Sequence, residues 1–201
     1  LLAPRASEPA AEAKPVDCPA LVESARAASR EAPPATAQPV RALALYPEAK
    51  HPRIVEDLLA GDALEGQARL DALEVIRAEV EQCTSCRLAQ GRTRTVFARG
   101  SAFAPVAFVG EGPGRDEDLQ GLPFVGAAGQ LLDRIIGAMG LRDGEVWVGN
   151  VVKCRPPNNR VPAPDEMGAC GGYLKRQLAL VRPRLIVALG KTATGYLLGS
   201  E

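Results

Sequence analysis

At 201 residues, 46% of them hydrophobic, the chain has room for one domain of ordinary size and an extension. Lys+Arg and Asp+Glu balance at 24 each, so net charge gives no case for a nucleic-acid partner. No apolar run reaches the roughly 18 residues that span a membrane, and the first residues lack a signal-peptide pattern, which leads us to expect a soluble protein of the cell interior.

Residues 1–52 hold nine of the seventeen prolines, with much Ala and almost no aromatics. Such a segment buries too little apolar surface to offset the entropy of ordering, and residues 1–66 are expected to form a disordered extension. Cys18 and His51, the only histidine, fall within it and are expected to have no role.

The domain is expected over 67–201. Leu70, Leu73, Ile76 and Val80 recur at helical spacing and predict a helix from Leu70 to Gln82. Pro105 to Val109 reads as a buried strand, Gly126 to Met139 as a helix, and Glu145 to Val152 as a second strand. A helix follows from Pro164 to Leu180, then a third strand from Leu185 to Leu189 and a helix from Lys191 to Leu198. Alternation of strand and helix implies an α/β fold, a parallel sheet with helices on both faces and ligands beyond the carboxyl ends of the strands. Three strands make an unusually small sheet, which suggests that the natural protein continues.

Five cysteines without a secretory signal argue for metal binding or reduced thiols over disulfides. Cys83 and Cys86 form a C-x-x-C pair, and Cys154 and Cys170 follow far along the chain. Four thiolates suit zinc or a four-iron cluster equally well by spacing, and a buried structural role for Cys170 stays open.

Four further stretches stand out. Gly110-Glu111-Gly112-Pro113-Gly114 ends the first strand, where glycines let backbone amides approach an anion or simply make a tight turn before solvated acids. Phe124, in Gly121-Leu122-Pro123-Phe124-Val125-Gly126, is either a core plug or a stacking platform. Asn150 ends the second strand and could cap a turn or pair with an amide-like edge. From Cys83 to Gly110 and from Asn150 to Arg160 the charged residues are all basic, which suits contact with phosphate or plain solubility.

In this order, Cys83-x-x-Cys86-Arg87-Leu88, Gly110-Glu111-Gly112-Pro113-Gly114, Glu117-Asp118, Pro123-Phe124-Val125-Gly126 and Asn150-Val151-Val152-Lys153-Cys154-Arg155-Pro156 resemble the family 4, iron-sulfur type of uracil-DNA glycosylase. The resemblance runs from about Leu70 to Leu198. It implies a three-layer α/β/α fold and an enzyme of base excision repair that hydrolyses the glycosidic bond of a flipped-out deoxyuridine. It also implies a structural 4Fe-4S cluster on Cys83, Cys86, Cys154 and Cys170, with zinc as the alternative. Glu111 and Gly112 would be catalytic, and with Pro113, Glu117, Phe124 and Asn150 they would bind the base. Phe124 would stack on it, Asn150 would read its edge, and Glu117 would help exclude the methyl of thymine. The expected partner is uracil-containing DNA, met by a monomer in the cytoplasm, at the nucleoid. The family's last motif, a His-bearing segment after the third strand, has no counterpart within the chain, so the chain as given is expected to be weakly active or inactive. A non-catalytic, metal-stabilised nucleic-acid-binding module is the alternative.

Overall fold

The computed structural model describes residues 64–199, all of which fall within the unit Ala49–Glu201. Cys18, His51 and most of the expected extension lie outside the described residues.

Among the described residues, five helices and four strands follow one another. They are α1 (Gly66–Gln82), β1 (Arg99–Gly100), β2 (Val106–Gly110), α2 (Arg115–Gln120), α3 (Ala127–Ala138), β3 (Val146–Asn150), α4 (Pro164–Val181), β4 (Leu185–Ala188) and α5 (Lys191–Leu198). Short 3₁₀ turns stand at Arg87–Gln90, Asp143–Glu145 and Pro157–Asn159. The sheet order is β1-β3-β2-β4, with β2 parallel to both β3 and β4 and only the two-residue β1 antiparallel, to β3. The expected strands are present, and β1 adds a fourth.

Side-chain alternation along the strands divides the core into two faces. Ala107, Val109 and Trp147 pack with Leu174 and Leu178 of α4 and with Ala193 and Leu197 of α5. Phe108, Val146 and Val148 point the other way and meet Leu132 and Ile136 of α3. Helices therefore cover both faces, giving the expected three layers.

Helix α1 starts at Gly66, four residues earlier than the periodicity indicated, and buries Ile76 and Val80 against Phe97, Tyr173 and Leu180. Leu70 is instead exposed. Arg69 takes the inward position, with its guanidinium bonded to the carbonyls of Leu64 at 2.8 Å, Ala102 at 3.3 Å and Val181 at 3.4 Å. The acidic run after Arg115, read as solvated, forms α2. Its Asp118 is buried and accepts the backbone N–H groups of Thr93 (2.9 Å) and Arg94 (3.3 Å).

The chain leaves β2 for β3 on one side and returns from β3 to β4 on the other, so β2 lies at the point where the strand order reverses. In open α/β sheets the ligand crevice forms outside the carboxyl ends of strands at such a point.

Candidate functional site

Gly110 and Asn150 end β2 and β3 as register partners, and the pairing continues beyond the strands. Val151 N–H donates to Gly110 O at 2.9 Å and Val152 N–H to Glu111 O at 3.1 Å. The two loops thus leave the sheet side by side. Between them opens a cleft of about 210 Å³, lined by Glu111, Gly112, Pro113, Gly114, Glu117, Phe124, Asn150, Pro156, Asn159 and Arg160, among others. All six residues expected to bind the base border this one space.

Asn150 is 2% exposed, and its Oδ1 has no hydrogen-bond partner. A buried acceptor without a donor costs about 1–3 kcal/mol, a penalty that a ligand N–H would relieve. Phe124 holds a left-handed backbone with φ 56°, a strained conformation for a non-glycine residue. Glu117 fixes the residues on either side of the strained loop: its carboxylate accepts N–H bonds from Val125 and Gly126, both 2.9 Å, and from Gly114 at 3.1 Å. Glu117 therefore borders the cleft while both oxygens tie the Gly114 turn to the Phe124 loop. A Cβ added at Gly129, in the first turn of α3, would stand 1.9 Å from Phe124 O, so α3 packs directly beneath this loop.

Glu111 stands at the mouth of β2. Thr192, in the first turn of α5, donates its hydroxyl to Glu111 Oε2. Thr192 went unnoticed in the sequence because its contact spans 81 residues and carries no local signal.

A second cavity is much smaller. It is lined by Cys83, Cys86, Cys154 and Cys170 together with Val80, Ala89, Arg92, Lys153 and Tyr173. All four expected ligands border it, delivered by the end of α1, the segment after it, the end of the β3 loop and α4. Among the described residues no three His, Cys, Asp or Glu side chains are grouped to hold a single metal ion. Donors point at the sulfurs: Arg92 Nη1 lies 3.2 Å from Cys154 Sγ, and Lys153 N–H donates to Cys170 Sγ at 3.2 Å. Burial pushes the Cys170 thiol up to about 11 and raises that of Cys154. At Cys83 burial acts the same way, but hydrogen bonds with Ser85 and Tyr173 and the charge of Arg92 outweigh it and leave the thiol below its ordinary range.

The segment 150–154 joins both spaces. Lys153 is fully buried, donates from Nζ to Asn150 O at 2.8 Å and Phe97 O at 3.4 Å, and burial lowers its ammonium to about 8. Several arginines of the basic stretch are bonded within the fold. Arg87 bonds Glu166, Arg92 bonds the carbonyls of Cys83 and Glu81, and Arg99 bonds Pro123 O. Their charge serves the fold before it serves any partner.

The family model of the Uracil DNA glycosylase superfamily matches residues 97–200, about half of the chain. The chain belongs to that superfamily. Within it the chain is similar to Type-4 uracil-DNA glycosylases. It is 48% identical to the one from Archaeoglobus fulgidus over 128 residues, covering 64% of each chain. It is 46% identical to that of Thermotoga maritima over 64% of this chain and 67% of the relative. The corresponding protein of Sulfurisphaera tokodaii is 50% identical over 64% of this chain and 59% of its own length. The chain thus spans roughly three-fifths to two-thirds of these relatives. The superfamily assignment accords with the three-layer fold, and the Type-4 likeness with the resemblance read from the motifs.

Proposed function

We propose that the protein to which this chain belongs is a uracil-DNA glycosylase acting inside the cell on uracil-containing DNA. The observation that carries this reading is the unpartnered Oδ1 of Asn150, 2% exposed, in the same cleft as Phe124 and Glu111. A base inside a duplex is out of reach, so it must be extruded, stacked and read on its Watson-Crick edge. Uracil offers a donor at N3 and an acceptor at O4. The Oδ1 of Asn150 would take the N3 hydrogen while its amide donates to O4. Cytosine presents the reverse pattern and would leave two buried groups unsatisfied, a mismatch that such sites reject by roughly 10⁴-fold.

Hydrolysis breaks the bond between the sugar and N1. The bonding electrons leave with uracil, the sugar gains oxocarbenium character, and water adds to it with loss of a proton. Glu111, steadied by Thr192, suits the cation side of this reaction, as a charge stabiliser or as the group that orients the water. Gly112 and Pro113 would shape the slot around the base.

The cysteine cavity suits a 4Fe-4S cluster: four sulfurs border one space, and N–H donors face two of them, Cys154 and Cys170. Such a cluster would supply cross-linking, not chemistry, by pinning α1, the β3 loop and α4 to one another. The slot would inherit its rigidity through residues 150–154.

The deciding experiment is base release from uracil-containing single- and double-stranded DNA by the full-length protein. Release from the wild type, lost in Asn150→Asp by about 10²-fold or more with DNA binding little changed, is the expected result. DNA binding without any release would favour the non-catalytic module. Equal losses of binding and release in the variant would remove Asn150 from base reading.

A further inference from the structure

A carboxylate closed off from water bonds both an arginine of the base slot and the arginine that follows Cys86. Glu166, in the first turn of α4, is 0% exposed, and four hydrogen bonds end on its two oxygens. Arg160 Nη1 donates to Oε2 at 2.8 Å and Arg160 Nη2 to Oε1 at 2.6 Å. Arg87 Nε donates to Oε1 at 2.8 Å, and the backbone N–H of Ala163 to Oε2 at 2.8 Å. The Ala163 bond is an ordinary helix-start contact and explains only one of the four.

The other three join segments with different duties. Arg87 follows the cysteine-cavity residue Cys86 directly, whereas Arg160 borders the base slot together with Asn159 and Pro156. That loop is built of unusual backbone, with Asn158 at φ 55° and Asn159 at φ 54°, a shape Asn tolerates but does not hold unaided. Two guanidiniums sharing one carboxylate would repel each other without it. Its negative charge therefore keeps the loop and the segment after Cys86 together.

We propose that Glu166 is a positioning residue for the base slot, holding Arg160 and the 156–162 loop against the segment after Cys86 so that order at the cysteine cavity reaches the slot wall. That this slot takes uracil rests on the function proposed above, whereas the coupling itself does not.

The test compares full-length wild type, Glu166→Gln and Arg87→Met by amide hydrogen exchange and by uracil-release kinetics. Arg87 is 60% exposed, so its variant should fold even if Glu166→Gln does not. Losing the Arg87 bonds to Glu166 and, at 3.3 Å, to the exposed Asp165 should raise exchange at residues 158–161 by about tenfold in Arg87→Met, and by more in Glu166→Gln, with β3 unchanged. KM should rise by a similar factor of about ten while kcat stays within about twofold, because the loop borders the base slot without including Glu111. Unchanged loop exchange in Arg87→Met, with Glu166→Gln loosening only the first turn of α4, would reduce Glu166 to a helix cap and overturn the proposal. Faster loop exchange with KM unmoved, or a fall confined to kcat, would overturn its role in the slot. Should the wild type release no uracil, the uracil reading fails, and the exchange result still decides whether the clamp exists.

Discussion

Gly110 lies against Asn150 so closely that a Cβ on the glycine would come within 2.6 Å of Asn150 Oδ1, and within 2.5 Å of the Phe124 ring. The end of β2 must be bare for the Phe124 and Asn150 side chains, proposed to contact the base, to lie against it. Gly110→Ala should displace both. Displacements of about 1 Å at a reacting site cost on the order of 10²-fold in rate, so single-turnover uracil release should fall by about that factor. Thermal unfolding should show only a modest loss, since the clash is with side chains that can move outward.

Glu117 ties the turn at Gly114 to the strained Phe124 loop. Glu117→Ala removes three backbone acceptor contacts and should cost about 1–3 kcal/mol of stability, read from the urea midpoint. Because Phe124 sits at φ 56° only while its neighbours are held, release of uracil should weaken through KM as the loop relaxes. Glu117→Gln keeps one acceptor oxygen and should recover part of both losses.

The cysteine cavity makes a spectroscopic prediction. Protein purified without oxygen should be brown, with broad visible absorption and iron and sulfide in equal amounts. Replacement of Cys154 or Cys170 by Ser should bleach it and lower the thermal midpoint, because three segments lose their common attachment. A colourless wild type loaded with zinc would displace iron from the proposal.

Stability should depend on acid through Glu166. The hydrogen bonds from Arg160 lead in holding its carboxyl down to about 2, with those from Ala163 and Arg87 adding to them against burial. A folded value below the unfolded one, about 4.3, means that the folded state binds fewer protons in between. The contribution is complete above the unfolded value and is lost as pH falls through about 2. Denaturant midpoints measured from pH 6 down to 2 should decline more steeply in wild type than in Glu166→Gln.

The layers and the slot were legible in the sequence to different degrees. Strands β2, β3 and β4 and helices α3, α4 and α5 stand within two residues of their expected ends, because apolar runs and periodic stripes are local signals. Leu70 misled because a buried Arg69, bonded to three carbonyls, takes a place that periodicity reserves for apolar side chains. Helix α2 was hidden because its acids look solvated, although Asp118 turns inward. The two residues of β1 are too few to leave a pattern. At the site, motif order marked the residues that line both cavities. Thr192 and Glu166 were missed: they act across 81 residues and across the 79 that separate Arg87 from Glu166. The second had a readable hint in Pro164-Asp165-Glu166, but it signals a helix start and says nothing of the two arginines.

The stretch from Asn150 to Cys154 behaves as a ruler. Its first residue is seated by the strand register, and its last borders the cysteine cavity with Arg92 bonded to its sulfur, while Lys153 folds back onto Asn150 O between them. Single-residue insertions or deletions here have no slack to absorb them, and would throw either the amide or the thiol out of place. Variation in length is therefore tolerable only outside these five positions, and a chain with a different count between the two would need another way to place Asn150 at the cleft.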